Sequence, residues 1–155
     1  EVINLSLGIK KKNYTKIINK KYFEILITEA KDIIKEKYND YKIMHILIDK
    51  FLINGNSHIK LKKDFNGEDF GLEIQFIIVP TFYTTKIEEV LKKFQIKIVG
   101  YINGKYIKNL IKDKNTDFSQ MAQMIQKGYN ENEVMIKSKN IKNMGFFEKF
   151  FQLFS

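Results

Sequence analysis

The chain of 155 residues is 44% hydrophobic and 14% aromatic, which allows one domain with a packed core and disfavours wholesale disorder. It contains no cysteine, so disulfides, thiolate chemistry and cysteine-based zinc sites are excluded, and a reducing compartment fits. All of its 27 basic residues are lysines, and with 18 acidic residues they give a net charge of +9. This charge would suit nucleic acid or anionic lipid or, as we expect, reflects the codon composition of an AT-rich genome.

The chain begins with a predicted strand and one long predicted helix. Residues Val2 to Ile9 are β-prone and partly alternating, and Tyr14 to Ile18 predict a short return strand. Asn19 is a suitable N-cap, and apolar residues then recur at helical spacing from about Lys20 to Lys37. The apolar face of this helix consists of Tyr22, Phe23, Leu26, Ile27, Ala30, Ile33 and Ile34.

Two strands follow the long helix. Ile43 to Ile53 reads as a largely buried strand, and the turn pair Asn54-Gly55 closes it. Apolar residues alternate from Phe70 to Val79, which predicts a strand with one strongly apolar face, ended by Pro80.

A second helix and a last strand complete the predicted domain. Thr85 to Glu88 matches a capping box, and Ile96 to Ile102 is predicted to form a strand. The expected core stripe of the second helix consists of Ile87, Val90, Leu91 and Phe94. The order strand-helix-strand-strand-helix-strand over 1–104 predicts an α+β fold, with two helices on one face of a small antiparallel or mixed sheet.

The rest of the chain divides into three predicted segments. Residues 105–128 predict a short helical extension, with one helix from Tyr106 and another from Phe118 that Thr116 or Asp117 would cap. Residues 129–143 are polar and read as a linker, and 144–155 predict an amphipathic helix.

No set of residues predicts catalysis. The sequence lacks both glycine-rich phosphate-binding motifs, and neither His45 nor His58 has metal-ligand spacing. His45 lies in a strand pattern and is expected to be a satisfied structural histidine. The acidic loop residues Asp64, Glu68 and Asp69 would bind a hard cation or, as we expect, remain solvated. We therefore predict a protein that is not an enzyme and has no cofactor, metal or catalytic residue.

The C-terminal segment has a complete separation of apolar and polar side chains. At about 100° per residue, the apolar residues share one side of a helix and Glu148, Lys149, Gln152 and Ser155 lie on the other. A helix this short is not stable alone in water, so it needs a surface on which to fold. The predicted membrane-binding residues are Phe146, Phe147, Phe150, Phe151, Leu153, Phe154, Lys142 and Lys149.

The C-terminal segment and the positive charge are compatible with more than one partner. The tail would dock on its own domain or a protein partner, or, as the polar segment before it favours, lie on an anionic membrane. No apolar run reaches the ~20 residues of a spanning helix, and the N-terminus lacks the apolar core of a signal peptide. A lysine-rich nucleic-acid-binding module is the alternative function, but the absence of arginine makes nucleic acid a less favoured partner than lipid.

Three groups of positions between Ile18 and Ile102 follow one another in a recognisable order. The first group is Ile18-Asn19, Phe23, Leu26, Ile27 and Ala30. The second is Ile43, His45, Ile46, Phe51, Ile53, Asn54, Gly55, Ile59 and Lys60, and the third is Leu72 to Ile74, Phe94, Gln95, Ile96 and Ile98. In these positions the stretch resembles the interaction subdomain, called 1C, of the bacterial cell-division protein family FtsA, which is actin-like. The tail from Gly145 to Phe150 is similar to the family's membrane-targeting helix, which commonly begins Gly-Phe-Phe behind a lysine-rich linker.

This resemblance implies the polymer-contact and membrane-tether parts of the family without its ATP-binding subdomains, because no phosphate loop lies between the two matched parts. It implies a cell-division scaffold or adaptor at the cytoplasmic face of the cell membrane, attached peripherally. Its partners would be an anionic membrane surface, a division-protein polymer or other division proteins, and a second copy of itself. Because residue 1 is Glu, we expect the sequence to be a fragment, and the resemblance is that of either a degenerate relative or a piece of a larger protein.

Overall fold

A computed structural model describes residues 1–13, 18–60, 68–113 and 115–135. Its strands pair antiparallel in the order β1-β4-β2-β3, so the predicted α+β class and small antiparallel sheet are confirmed. The elements in chain order are β1 (Ile3–Lys11), α1 (Lys20–Lys37), β2 (Tyr41–Ile53), β3 (Asn56–His58), β4 (Phe70–Pro80), α2 (Thr81–Lys92), α3 (Gly104–Leu110) and α4 (Phe118–Gln126).

Helix α1 covers one face of the sheet and forms the main core with it. The predicted bounds of this helix are confirmed, and the Asn19 side chain accepts a hydrogen bond from the backbone N–H of Tyr22. Its buried stripe packs on alternate residues of β4, whose partners in β1 are half-buried. The largest fully buried side chains of this core are Phe51, Phe70, Phe76, Ile18, Leu26, Ile46, Leu72, Ile74 and Ile78.

Two irregularities in β2 decide which of its side chains enter that core. The pairing register with β4 shifts between Ile43 and His45 and again between Ile48 and Lys50. Each shift inserts one extra residue and reverses the alternation of side chains across the sheet. As a result His45 points to the opposite face from Ile43, beside Ile77 of β4.

The second face of the sheet is covered in part by α3 and α4. Ile77 packs there with Ile107 and Ile125 in a smaller core. The β1 side of the same face carries Asn4, Ser6, Gly8 and Lys10, which are all exposed. This face is therefore half apolar and covered, and half polar and open.

Two predicted elements differ in the structure. Helix α2 begins at Thr81, directly after β4, so the predicted capping box lies inside it, and Pro80 at the N-cap makes no side-chain cap bond. Ile96 to Ile102 does not form the predicted last strand. Backbone bonds instead connect β2 to Asn132 and Val134, in the stretch expected to be a linker: the Ile48 N–H donates to Asn132 O (2.8 Å), and the Val134 N–H donates to Ile46 O (2.8 Å).

The turn between β2 and β3 provides a test of the predicted hairpin. Asn54 and Gly55 both have positive φ, 48° and 82°, as a tight hairpin turn requires. We expect Gly55→Ala to lower the free energy of unfolding by about 1 kcal/mol, because alanine is strained at this φ. Gly8→Ala is the matched control. It has space for a Cβ and no positive φ, so urea unfolding should show no loss of stability.

Candidate functional site

Five polar residues form a hydrogen-bonded network, the His45 cluster (His45, Asn103, Tyr106, Asn130 and Glu133), between β2 and α3, of which His45, Tyr106 and Glu133 are buried. His45 Nδ1 lies 2.6 Å from Glu133 Oε1, and His45 Nε2 accepts the backbone N–H of Asn103 at 2.9 Å. The Tyr106 hydroxyl donates to Glu133 Oε2 at 2.6 Å and accepts from the Asn130 side-chain amide at 2.8 Å. The network thus joins residues from β2, α3 and the segment after α4.

The geometry of the His45 cluster fixes its proton positions. Because Nε2 accepts the N–H of Asn103, the proton of the neutral His45 ring lies on Nδ1 and is donated to Glu133. Burial, followed by the hydrogen bond to Glu133, raises the pKa of Tyr106 far above its usual value, so this hydroxyl remains a donor. Both ring nitrogens and both carboxylate oxygens are therefore in use.

A base or metal ligand needs an open position, and the His45 cluster offers none. His45 is 2% exposed and Glu133 is 7% exposed. The prediction that His45 is a satisfied structural histidine is confirmed. His58, the other histidine, lies exposed in β3.

Sequence reasoning missed the role of Glu133 in this cluster. It lies 88 residues from His45 and inside a stretch that reads as a polar linker. The one local sign was the apolar pair Val134-Met135 directly after it, and Val134 is indeed buried in the main core.

A second feature is an exposed apolar surface, the α2 flank (Phe82, Tyr83, Ile87, Val90, Phe94, Ile96 and Val99). At about 100° per residue, its four helical members fall within a sector of about 140°. Thr84, the buried residue of α2, lies outside that sector. Of the stripe predicted to enter the core, Ile87 is 49% exposed, Val90 54% and Phe94 69%, so most of it instead faces outward.

Three polar residues hold α2 in this orientation. Glu88 Oε1 accepts hydrogen bonds from Lys42 Nζ of β2 at 3.0 Å and from the Tyr101 hydroxyl at 2.7 Å. The Tyr101 hydroxyl also lies 3.2 Å from the backbone oxygen of Thr84, and Lys42 lies over the Tyr101 ring, 4.6 Å from its centroid. The hydrogen bond from Tyr101, followed by that from Lys42, lowers the pKa of Glu88. Desolvation and then Glu88 raise the pKa of Tyr101 to about 12.

The open half of the second sheet face carries a concavity of about 300 Å³. Ser6 and Gly8 of β1, Glu73 and Gln75 of β4, and Asp49 are among its lining residues. Lys50 pairs with Glu73 at its edge, at 3.1 Å. Leu7 and Ile74 also line it, so the concavity combines polar and apolar surface.

The predicted acidic loop provides no metal site in the part of the chain that the structure describes. Asp64 lies outside the described residues, and Glu68 is exposed. Among the described residues, no group of three or more His, Asp or Glu is placed to hold a metal ion. None of the described helices is long and apolar enough to cross a bilayer.

The predicted membrane-binding residues all lie outside the described residues, which end at Met135. They are Phe146, Phe147, Phe150, Phe151, Leu153, Phe154, Lys142 and Lys149. Comparison of the chain with protein-family models and with curated proteins finds no match.

Proposed function

We propose that this protein is a non-enzymatic cell-division adaptor. Its α+β domain makes protein contacts, and its C-terminal amphipathic helix attaches it peripherally to the inner face of the membrane. The observation that carries the proposal is that the described domain leaves two surfaces exposed, the open polar half of the second sheet face and the α2 flank. In the described domain, the buried ionisable groups form hydrogen bonds that stabilise the fold. A large apolar surface remains exposed to solvent, as in a docking module.

The open polar half of the second sheet face is the surface that we assign to protein partners. It lies beside β1, whose described strand neighbour is β4 alone, and its concavity offers both acidic and uncharged hydrogen-bonding groups. The division-protein polymer or another division protein would bind there. The family resemblance of residues Ile18 to Ile102 supports the same assignment.

Sedimentation with vesicles of anionic phospholipid tests the adaptor function. We expect the intact chain to pellet with the vesicles, and a chain ending at Met144 to lose at least about tenfold in partitioning, because six apolar side chains are removed. A division-protein polymer added to the mixture should pellet only when the intact chain is present.

Equal pelleting of the intact and shortened chains would remove the membrane tether. A matched control is Glu148→Gln/Gln152→Asn, which keeps every apolar residue and every lysine of the tail and should retain the binding. If this control fell as far as the shortened chain, attachment would not depend on the phenylalanine surface.

A further inference from the structure

The α2 flank carries mostly positive charge. Between residues 81 and 99 there are four lysines and two glutamates, which gives 4 − 2 = +2. One of the glutamates, Glu88, already accepts hydrogen bonds from Lys42 and Tyr101. The lysines are all exposed: Lys86, Lys92, Lys93 and Lys97.

Lys86 shows how these lysines combine with the apolar side chains. Its ammonium lies 4.5 Å from the centroid of the Phe82 ring. The aliphatic part of a lysine packs along apolar surface while its charge stays at the polar border. At about 100° per residue, Lys86 lies near 40° and Lys93 near 20°, inside the sector of about 140° that begins at Phe82. The apolar side of α2 therefore carries cations among its apolar side chains, and such lysines can extend their charge to the headgroups of a membrane interface.

We propose that the α2 flank is a second membrane contact, in which Phe82, Tyr83, Ile87 and Val90 enter the boundary between headgroups and acyl chains. Lys86 and Lys93, which lie on the same side of α2 as these residues, contact the acidic headgroups of the same bilayer. This inference rests on the proposed function, because the C-terminal helix would hold the domain at that surface. A contact that is weak alone becomes effective once the first attachment raises its local concentration.

Two observations favour a lipid surface over an acidic protein partner. The apolar residues stand on the outer side of a helix, and such a ridge enters lipid without a complementary groove. The cations are all lysines, and lysine point charges suit the diffuse charge of a leaflet, whereas buried protein ion pairs favour arginine. The bonds from Lys42 and Tyr101 to Glu88 also hold α2 in place beforehand, which reduces the ordering cost of docking.

A four-way comparison of full-length proteins tests the second contact. The proteins are the unaltered chain, Phe82→Ser/Val90→Ser in the α2 flank, Phe147→Ser/Phe150→Ser in the tail, and the combination of both. The probe is a vesicle of phosphatidylglycerol and phosphatidylcholine, compared with phosphatidylcholine alone. We expect the α2 variant to bind the anionic vesicles about tenfold more weakly with the tail intact, which corresponds to about 1.4 kcal/mol.

Exposed apolar residues of α1 provide the matched control. Ile25 and Ile33 are 46% and 47% exposed and lie outside the α2 flank, so Ile25→Ser/Ile33→Ser should leave vesicle binding unchanged. If the α2 variant binds like this control, the second contact is wrong, whatever the tail variant does. If the tail variant binds like the unaltered chain but the α2 variant is weakened, the tether of the proposed function fails and the α2 contact stands.

A fluorescent label gives a readout at the flank itself. Because the chain has no cysteine, Val90→Cys and Ile25→Cys can each be labelled at one position with an environment-sensitive dye. Anionic vesicles should shift the emission of the dye at position 90 to the blue and leave that at position 25 unchanged. If the emission of the dye at position 90 instead shifts with rising protein concentration in the absence of lipid, the flank binds a second copy of the chain. That result would overturn the membrane contact.

Discussion

Replacing Glu133 with alanine is expected to lower the free energy of unfolding by about 3 kcal/mol. The substitution leaves two buried donors, His45 Nδ1–H and the Tyr106 hydroxyl, without the carboxylate that accepts from both. Each hydrogen bond to a charged group contributes about 1.5–3 kcal/mol, and the removed cost of burying the carboxylate offsets part of the loss. Urea unfolding measures the change.

Glu131→Ala is the matched control for this prediction. Glu131 is two residues away and pairs with Lys60 at 2.8 Å, but both side chains are at least half exposed, so its loss should cost less than about 1 kcal/mol. The nitrogen chemical shifts of His45 give a second readout, since they distinguish a proton on Nδ1 from one on Nε2. Equal losses for the two substitutions, or a proton on Nε2, would contradict the described cluster.

The long helix and the main strands could be predicted because local pattern and burial agree there. Asn19 marks the start of α1, and the apolar stripe after it enters the core along most of its length. The Asn54-Gly55 turn is likewise a local signal. When the spacing of apolar residues equals the repeat of the helix or strand, the apolar residues share one face, and that face is expected to enter the core.

The features that could not be predicted depend on contacts distant in sequence. The extra residues in β2 reverse the alternation twice, so no simple period assigns His45 to the face where it meets Glu133. The orientation of α2 is another example, since Thr84 and not the apolar stripe is the buried part of this helix, and Lys42, 46 residues before Glu88, pairs with it. The helical spacing alone predicts that the apolar stripe enters the core.

The second large effect is expected at Phe76, where a buried phenylalanine can be compared with an exposed one in the α2 flank. This residue is 0% exposed at the centre of the sheet, between Leu5 of β1 and Ile46 of β2, so Phe76→Ala should lower the free energy of unfolding by about 3–5 kcal/mol. Phe82→Ala removes the same atoms from the α2 flank, where Phe82 is 61% exposed, and should cost less than about 1 kcal/mol. Chemical denaturation of both variants gives the comparison. A loss at Phe82 as large as that at Phe76 would mean that α2 packs inward, which would leave the flank no surface to offer a membrane.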